Sequence, residues 1–143
     1  MRKLKSPFRK LTSLPPPTES AEQVALVARC LAATGKHRAA RLIFAIPNGG
    51  ARHIATARRL KAEGVRPGVP DLMLPVPRWR EPHTGLLDPG LFIEMKRRKG
   101  GVVSPEQAAW HKTLRDQGYA VAVCRGADEA WSAITRYLDG GWS

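Results

Sequence analysis

Apolar positions recur along this chain in two periods, 3.6 and 2, and the two alternate from one end to the other. Over 19–34, Val24, Val27 and Leu31 form one stripe; Thr18 or Ser20 can cap the start and Gly35 can close the end. This predicts a first helix with that stripe buried, Glu19 at its edge pointing inward, and Glu22 solvated on the opposite side with Arg29. Residues 42–46 are an apolar run ahead of Pro47-Asn48-Gly49-Gly50, which predicts a strand and a turn. Residues 51–63 predict a second helix, closed by Gly64. A strand follows within 69–75, beginning near Asp71, and then a loop or hairpin tip at 75–89 with four prolines and one glycine. Residues 91–96 predict another strand. Ser104-Pro105-Glu106-Gln107 is a helix start with Ser at the N-cap, Pro at the first helical position and Gln at the third, and that helix ends at Gly118. A strand at 119–124 and a helix at 128–138 complete the chain, with Ala130, Ala133, Ile134 and Tyr137 on one side of the helix. The order α β α β β α β α is that of an α/β domain whose mixed central sheet is flanked by helices, since a short loop joins the middle strands and helices join the others.

Residues 1–17 stand apart from this pattern: basic, then Leu14-Pro15-Pro16-Pro17, which is stiff and extended. They are read as an appendage, either a solubilising tail or a DNA-contacting arm, and 18–143 as the single folded domain that 143 residues allow. Charge then narrows the partners. Lys and Arg number 24 against 12 Asp and Glu, a net +12. The excess gathers in 1–13, in 52–66 and in the four consecutive cations 96–99. Such a field favours nucleic acid or an anionic membrane. No apolar run approaches the ~20 residues that span a bilayer, and the basic start lacks the apolar stretch of a signal peptide. The chain is therefore expected to be soluble and cytoplasmic. The two cysteines, Cys30 and Cys124, form no CxxC pair, which argues against structural zinc, and the inferred compartment argues against their disulfide.

Candidate chemistry centres on three residues. Asp71 opens one strand, and Glu94 and Lys96 share one face of the next, while Ile93 and Met95 take the face toward a core. If the strands are neighbours, two carboxylates converge beside a lysine, an arrangement that favours a hard divalent cation such as Mg²⁺ or Mn²⁺. Such an ion would acidify a water and polarise a phosphoryl oxygen, with Lys96 orienting the water or neutralising charge on phosphate. Gln107 shares a helical stripe with Trp110, His111 and Leu114. Two readings stand for it: a cap for its own helix, or a side chain reaching the acidic site. Glu19 is either a third carboxylate of that site or a first-turn acid suited to the helix dipole.

Together, Thr18-Glu19…Gln23, Ile46-Pro47-Asn48-Gly49-Gly50, 60–72 (LKAEGVRPGVPDL), Phe92-Ile93-Glu94-Met95-Lys96 and 104–110 (SPEQAAW) resemble the VRR-NUC family of the PD-(D/E)XK nuclease superfamily, in order over about 18–138. The resemblance implies a restriction-endonuclease-like core and metal-dependent endonucleolytic hydrolysis of DNA phosphodiesters. By position it implies Asp71, Glu94 and the Met95 carbonyl as Mg²⁺ or Mn²⁺ ligands, Lys96 as the catalytic lysine, and Glu19 and Gln107 as accompanying catalytic residues. The family includes small stand-alone phage and bacterial proteins and modules of larger repair proteins. The small members resemble homodimeric Holliday-junction resolvases, which implies branched DNA as substrate, a homodimer, and the host cytoplasm for a phage-encoded member.

Other residues are candidates for DNA contact. Asn48, Gly49 and Gly50 precede a helix and offer backbone N–H groups to a phosphate, or form an ordinary turn. Arg97, Arg98 and Lys99 follow the acidic strand directly, and Arg52, Arg58 and Arg59 are placed to track phosphates. Trp110 is read as core, and Trp79 as either stacking or packing. The four histidines show no metal-binding spacing. Two competing functions remain: a non-catalytic DNA-binding module, since 54–65 superficially reads like part of a helix-turn-helix, and a nuclease subunit active only with a helicase, clamp or repair partner.

Overall fold

The computed structural model describes residues 15–48, 54–80 and 85–142. Among these, α1 (Glu19–Leu31) is followed by a 3₁₀ helix (Gly35–Leu42), β1 (Phe44–Ala45), α2 (Ile54–Ala62), β2 (Leu72–Leu74) and a two-strand ribbon, β3 (Arg78–Trp79) and β4 (Leu87–Asp88). Then come β5 (Leu91–Lys96), α3 (Pro105–Asp116), β6 (Ala120–Arg125) and α4 (Ala127–Leu138). The main sheet runs β1-β2-β5-β6, antiparallel except for the parallel β5–β6 pair. That parallel pair is joined through α3, as a parallel crossover requires. The expected mixed α/β architecture is the one found. The ribbon gives 75–89 the hairpin form, one of its two expected readings, and the 3₁₀ helix is an addition that carries little periodic signal.

Strand alternation divides the molecule into layers. Leu72, Leu74, Leu91, Ile93, Met95, Ala122 and Cys124 point to the face covered by α1 and α4, where they pack with Leu26, Cys30, Ala130, Ile134 and Tyr137. Both cysteines are free thiols in this core. The opposite face carries Phe92, stacked edge-on with Tyr119, and is covered by α3 through His111 and Leu114. Glu94 and Lys96 lie on this α3 side, as their alternation with Ile93 and Met95 predicts. No described helix is long and apolar enough to cross a membrane.

Helix α1 is rotated from its expected setting. Its buried stripe is Glu22, Leu26 and Cys30, while Val24 is 66% and Leu31 54% exposed. Glu22, expected in solvent, is 3% exposed. Its carboxylate accepts from the Arg98 guanidinium and from the Ala127 N–H at 2.8 Å, so the charge that would forbid burial is matched. The Arg98 pairing and the Ala127 hydrogen bond, in that order, hold its pKa below the usual carboxylate value. Gly126, at φ +90°, makes this possible: a Cβ there would press on Arg98 and Glu22.

Helix α2 matches the expected second helix from Ile54; residues 51–53 lie outside the described residues, as do 1–14. It carries no buried residue, and no second helix follows it before β2, so the helix-turn-helix reading has no structural partner among the described residues.

Candidate active site

The start of β2, the end of β5 and the first turns of α3 meet at one end of the sheet. Asp71 sits just before β2, and both its carboxylate oxygens are held. Oδ1 accepts from the Asn48 side-chain amide at 3.1 Å, and Oδ2 accepts from the Met95 N–H at 2.7 Å. Asn48 also donates to the Val69 carbonyl at 3.0 Å. Its side chain thus orients Asp71, a role that sequence reasoning missed by considering only its backbone. Gly49, Gly50 and Arg52, expected beside it as phosphate contacts, lie outside the described residues.

The loop before Asp71 is pinned against α3. The Trp110 indole donates to the Pro67 carbonyl at 3.1 Å and the Arg66 guanidinium lies 5.2 Å from its ring centre. Trp110 is therefore half-buried, a clamp on this loop rather than the core residue expected. Gly68, at φ +83°, lies so close to Glu106 that a Cβ would stand 2.9 Å from its carbonyl carbon. This contact seats Asp71 beside the N-terminus of α3.

Glu94 lies behind these groups and is 1% exposed. Its Oε1 accepts from Lys96 Nζ at 2.7 Å and from the Gln107 side-chain amide. Gln107 satisfies both readings at once. Its carbonyl oxygen accepts from the Ser104 N–H at 2.9 Å, closing the predicted capping box, while its NH₂ reaches Glu94. Oε2 of Glu94 is buried with no hydrogen-bond donor, and 3.5 Å away lies His111 Nε2, equally buried and equally unpartnered. Burial pushes the Glu94 pKa up to about 7; Lys96 opposes this, and the nearby Asp71 and Glu19 charges add to it. Burial, then Arg115 and Lys96, lowers that of His111.

A recess of about 390 Å³ opens over this cluster, lined by Glu19, Asn48, Pro67, Gly68, Asp71, Ser104, Glu106 and Gln107. Of the candidate residues, Glu19, Asp71, Glu94, Lys96 and Gln107 thus come together. Arg97 and Lys99 follow β5 as exposed cations with no ion pair among the described residues. Arg98 stands apart: its guanidinium is engaged by Glu22, with Asp128 3.5 Å away, so its charge holds α1 and α4 together.

The donor set suits a hard divalent cation. Asp71 and Glu94 offer carboxylates, and Glu94 Oε2 is an oxygen without a donor. Continuing the β2–β5 register sets Met95 opposite Pro70, whose nitrogen has no hydrogen to give the Met95 carbonyl. No group of three or more acidic, His or Cys side chains converges on one point among the described residues. Two carboxylates and a carbonyl are nonetheless the sparse set that Mg²⁺ accepts while keeping water and substrate oxygens.

The profile of the VRR-NUC domain matches residues 19–128, most of the chain. The chain belongs to the VRR-NUC family. A solved structure described as a VRR_NUC domain protein is similar over 90% of this chain and 93% of its own, with a TM-score of 0.72 and 26% sequence identity. No curated protein matches the sequence. The matched VRR-NUC region contains every residue that lines the recess, together with Glu94 and Lys96 behind it. The protein is accordingly a nuclease-type domain, with nucleic acid as its class of substrate.

Proposed function

We propose that this VRR-NUC protein is a Mg²⁺- or Mn²⁺-dependent DNA endonuclease that selects branched DNA by shape. The observation that carries this reading is the convergence of Asp71, Glu94 and Lys96 beneath one recess, with Glu94 kept short of donors on Oε2. Asp71, Glu94 and the Met95 carbonyl would hold the cation. When bound, it supplies Lewis-acid polarisation of a phosphoryl oxygen and a more acidic water. Asn48 and the Met95 N–H fix the Asp71 carboxylate, and Gln107 fixes Glu94. Lys96 carries its positive charge at Glu94 Oε1, where it can orient the attacking water or meet charge growing on the phosphate. Glu19 at the rim adds negative charge that favours a cation over an unaccompanied phosphate.

Arg97 and Lys99, exposed cations directly after β5, are suited to phosphate contacts, which fix the register of the nucleic acid without carrying sequence information. A homodimer would bring two such sites to the two strands of a junction.

The test is cleavage of labelled single strands, duplex, flaps, forks and a four-way junction with Mg²⁺ or Mn²⁺, for wild type and Lys96→Ala. Cation-dependent cutting, strongest on a branched substrate and reduced at least ~100-fold in the variant, is expected. Tight binding with no cleavage by wild type on any substrate returns the protein to a binding module or a partner-dependent subunit.

A further inference from the structure

Helix α3 presents two side chains to Glu94, one turn apart. Gln107 donates to Oε1; His111, at the next i+4 position, places Nε2 3.5 Å from Oε2. His111 is 3% exposed, and neither its Nε2 nor the Glu94 oxygen has any other partner. Two buried polar atoms left facing each other are costly unless a hydrogen bond forms between them. In neutral imidazole one ring nitrogen carries a hydrogen, and the Nε2–H tautomer matches the carboxylate. Hydrogen bonds of this kind are commonly long in an unliganded site and tighten when it is filled.

We propose that His111 is a positioning residue for Glu94: its Nε2–H bonds Oε2, so that α3 grips both oxygens of the carboxylate and fixes the orientation in which it meets the cation. Oε1 already accepts from Lys96 and Gln107, so Oε2 is the oxygen with lone pairs to spare. A hydrogen bond from His111 uses one of them and leaves one. This inference rests on the metal-dependent reading above and adds to it a residue outside the acidic motif. It also accounts for a buried histidine beside Gln107 and Leu114 on the stripe of α3 that faces the sheet.

The experiment measures Mn²⁺ binding to the DNA-free 143-residue chain from the electron paramagnetic resonance signal of the free ion. The proteins are wild type, Asp71→Asn, His111→Leu and His111→Gln, with a Tm for each. Gln places an amide N–H near the position of Nε2, whereas Leu keeps apolar bulk without a donor. His111→Leu is expected to weaken Mn²⁺ binding about tenfold or more, and His111→Gln to restore it to within about threefold of wild type. If His111→Leu does not fold, His111→Asn, whose amide stops short of Oε2, takes its place with the same expectation. Wild-type affinity in the donor-less variant, or equal weakening in both variants, overturns the role of His111 alone, provided Asp71→Asn loses binding. No Mn²⁺ binding by wild type overturns the metal-dependent reading and this inference with it.

Discussion

Glu22 and Glu94 are both carboxylates almost wholly removed from water, yet they are held in opposite ways. Glu22 faces an arginine and a helix-terminal N–H; both favour its charged form, and its pKa falls. Glu94 has Lys96 and Gln107 on one oxygen only; burial and the neighbouring Asp71 and Glu19 carry its pKa to about 7. The first acid is matched within the fold and ties α1, the loop after β5 and α4 together. The second has, among the described residues, His111 Nε2 3.5 Å from its Oε2 as the one group facing that oxygen, and keeps a lone pair of it free beneath a recess. Desolvation without full compensation is a state that a fold tolerates where something else is to bind. On the proposed function, that difference is what distinguishes a structural carboxylate from a metal-binding one, more sharply than burial alone.

The largest expected stability effect breaks the matched side. Glu22→Leu removes the acceptor for Ala127 and the partner of Arg98, and should lower Tm by roughly 10 °C. Thermal melts check this, and a change of less than a few degrees would mean that Glu22 does not hold α1 to α4.

The pH dependence of stability should split between the two acids. Glu94 has a raised pKa, so its contribution is fully present below the ordinary 4.5 and is lost as pH rises through about 7. Glu22 has a lowered pKa, so its contribution is present above its ordinary value and is lost as pH falls through the lowered one. Without metal, Glu94→Gln should flatten the decline in Tm between about 4.5 and 7, and Glu22→Gln should flatten the acid limb below it. Identical pH profiles for the two variants would remove the distinction.

A smaller effect concerns the seating of the Glu94 side. Gly68→Ala must strain a positive φ and push on Glu106, and should cost about 1–2 kcal/mol. Differential scanning calorimetry would register a few degrees; an unchanged Tm would show that the loop before Asp71 yields freely.

Much of this was legible in the residues, and particular ones show where legibility stopped. β5 at Leu91–Lys96 and the capping box at Ser104 were readable because strand alternation and helix capping are local rules. The two readings of Gln107 proved compatible because an amide has two ends. The face of α1 was misread because the burial of Glu22 depends on Arg98, 76 residues away, and no local period reports that. Arg98 was read as one cation of a run for the same reason. His111 has no metal-binding spacing in the sequence; its i+4 relation to Gln107 is the one local signal, and it acquires meaning only from the tertiary contact of α3 with Glu94. The Asn48 side chain was missed because Asp71, its partner, lies across β1 and β2.

The most direct measurement sets Glu94→Gln against Glu22→Gln, the same change at both acids, reading Tm at pH 6 and single-turnover cleavage of branched DNA with Mn²⁺ at neutral pH and a temperature where both are folded. At pH 6 Glu94 is largely protonated, so glutamine replaces a neutral group with a neutral one. Glu94→Gln should therefore keep Tm within a few degrees of wild type while cleavage falls about 10³-fold, and Glu22→Gln should lower Tm while cleavage stays within about threefold. Cleavage retained in Glu94→Gln, or lost equally in both variants, would contradict the assignment of the reactive carboxylate.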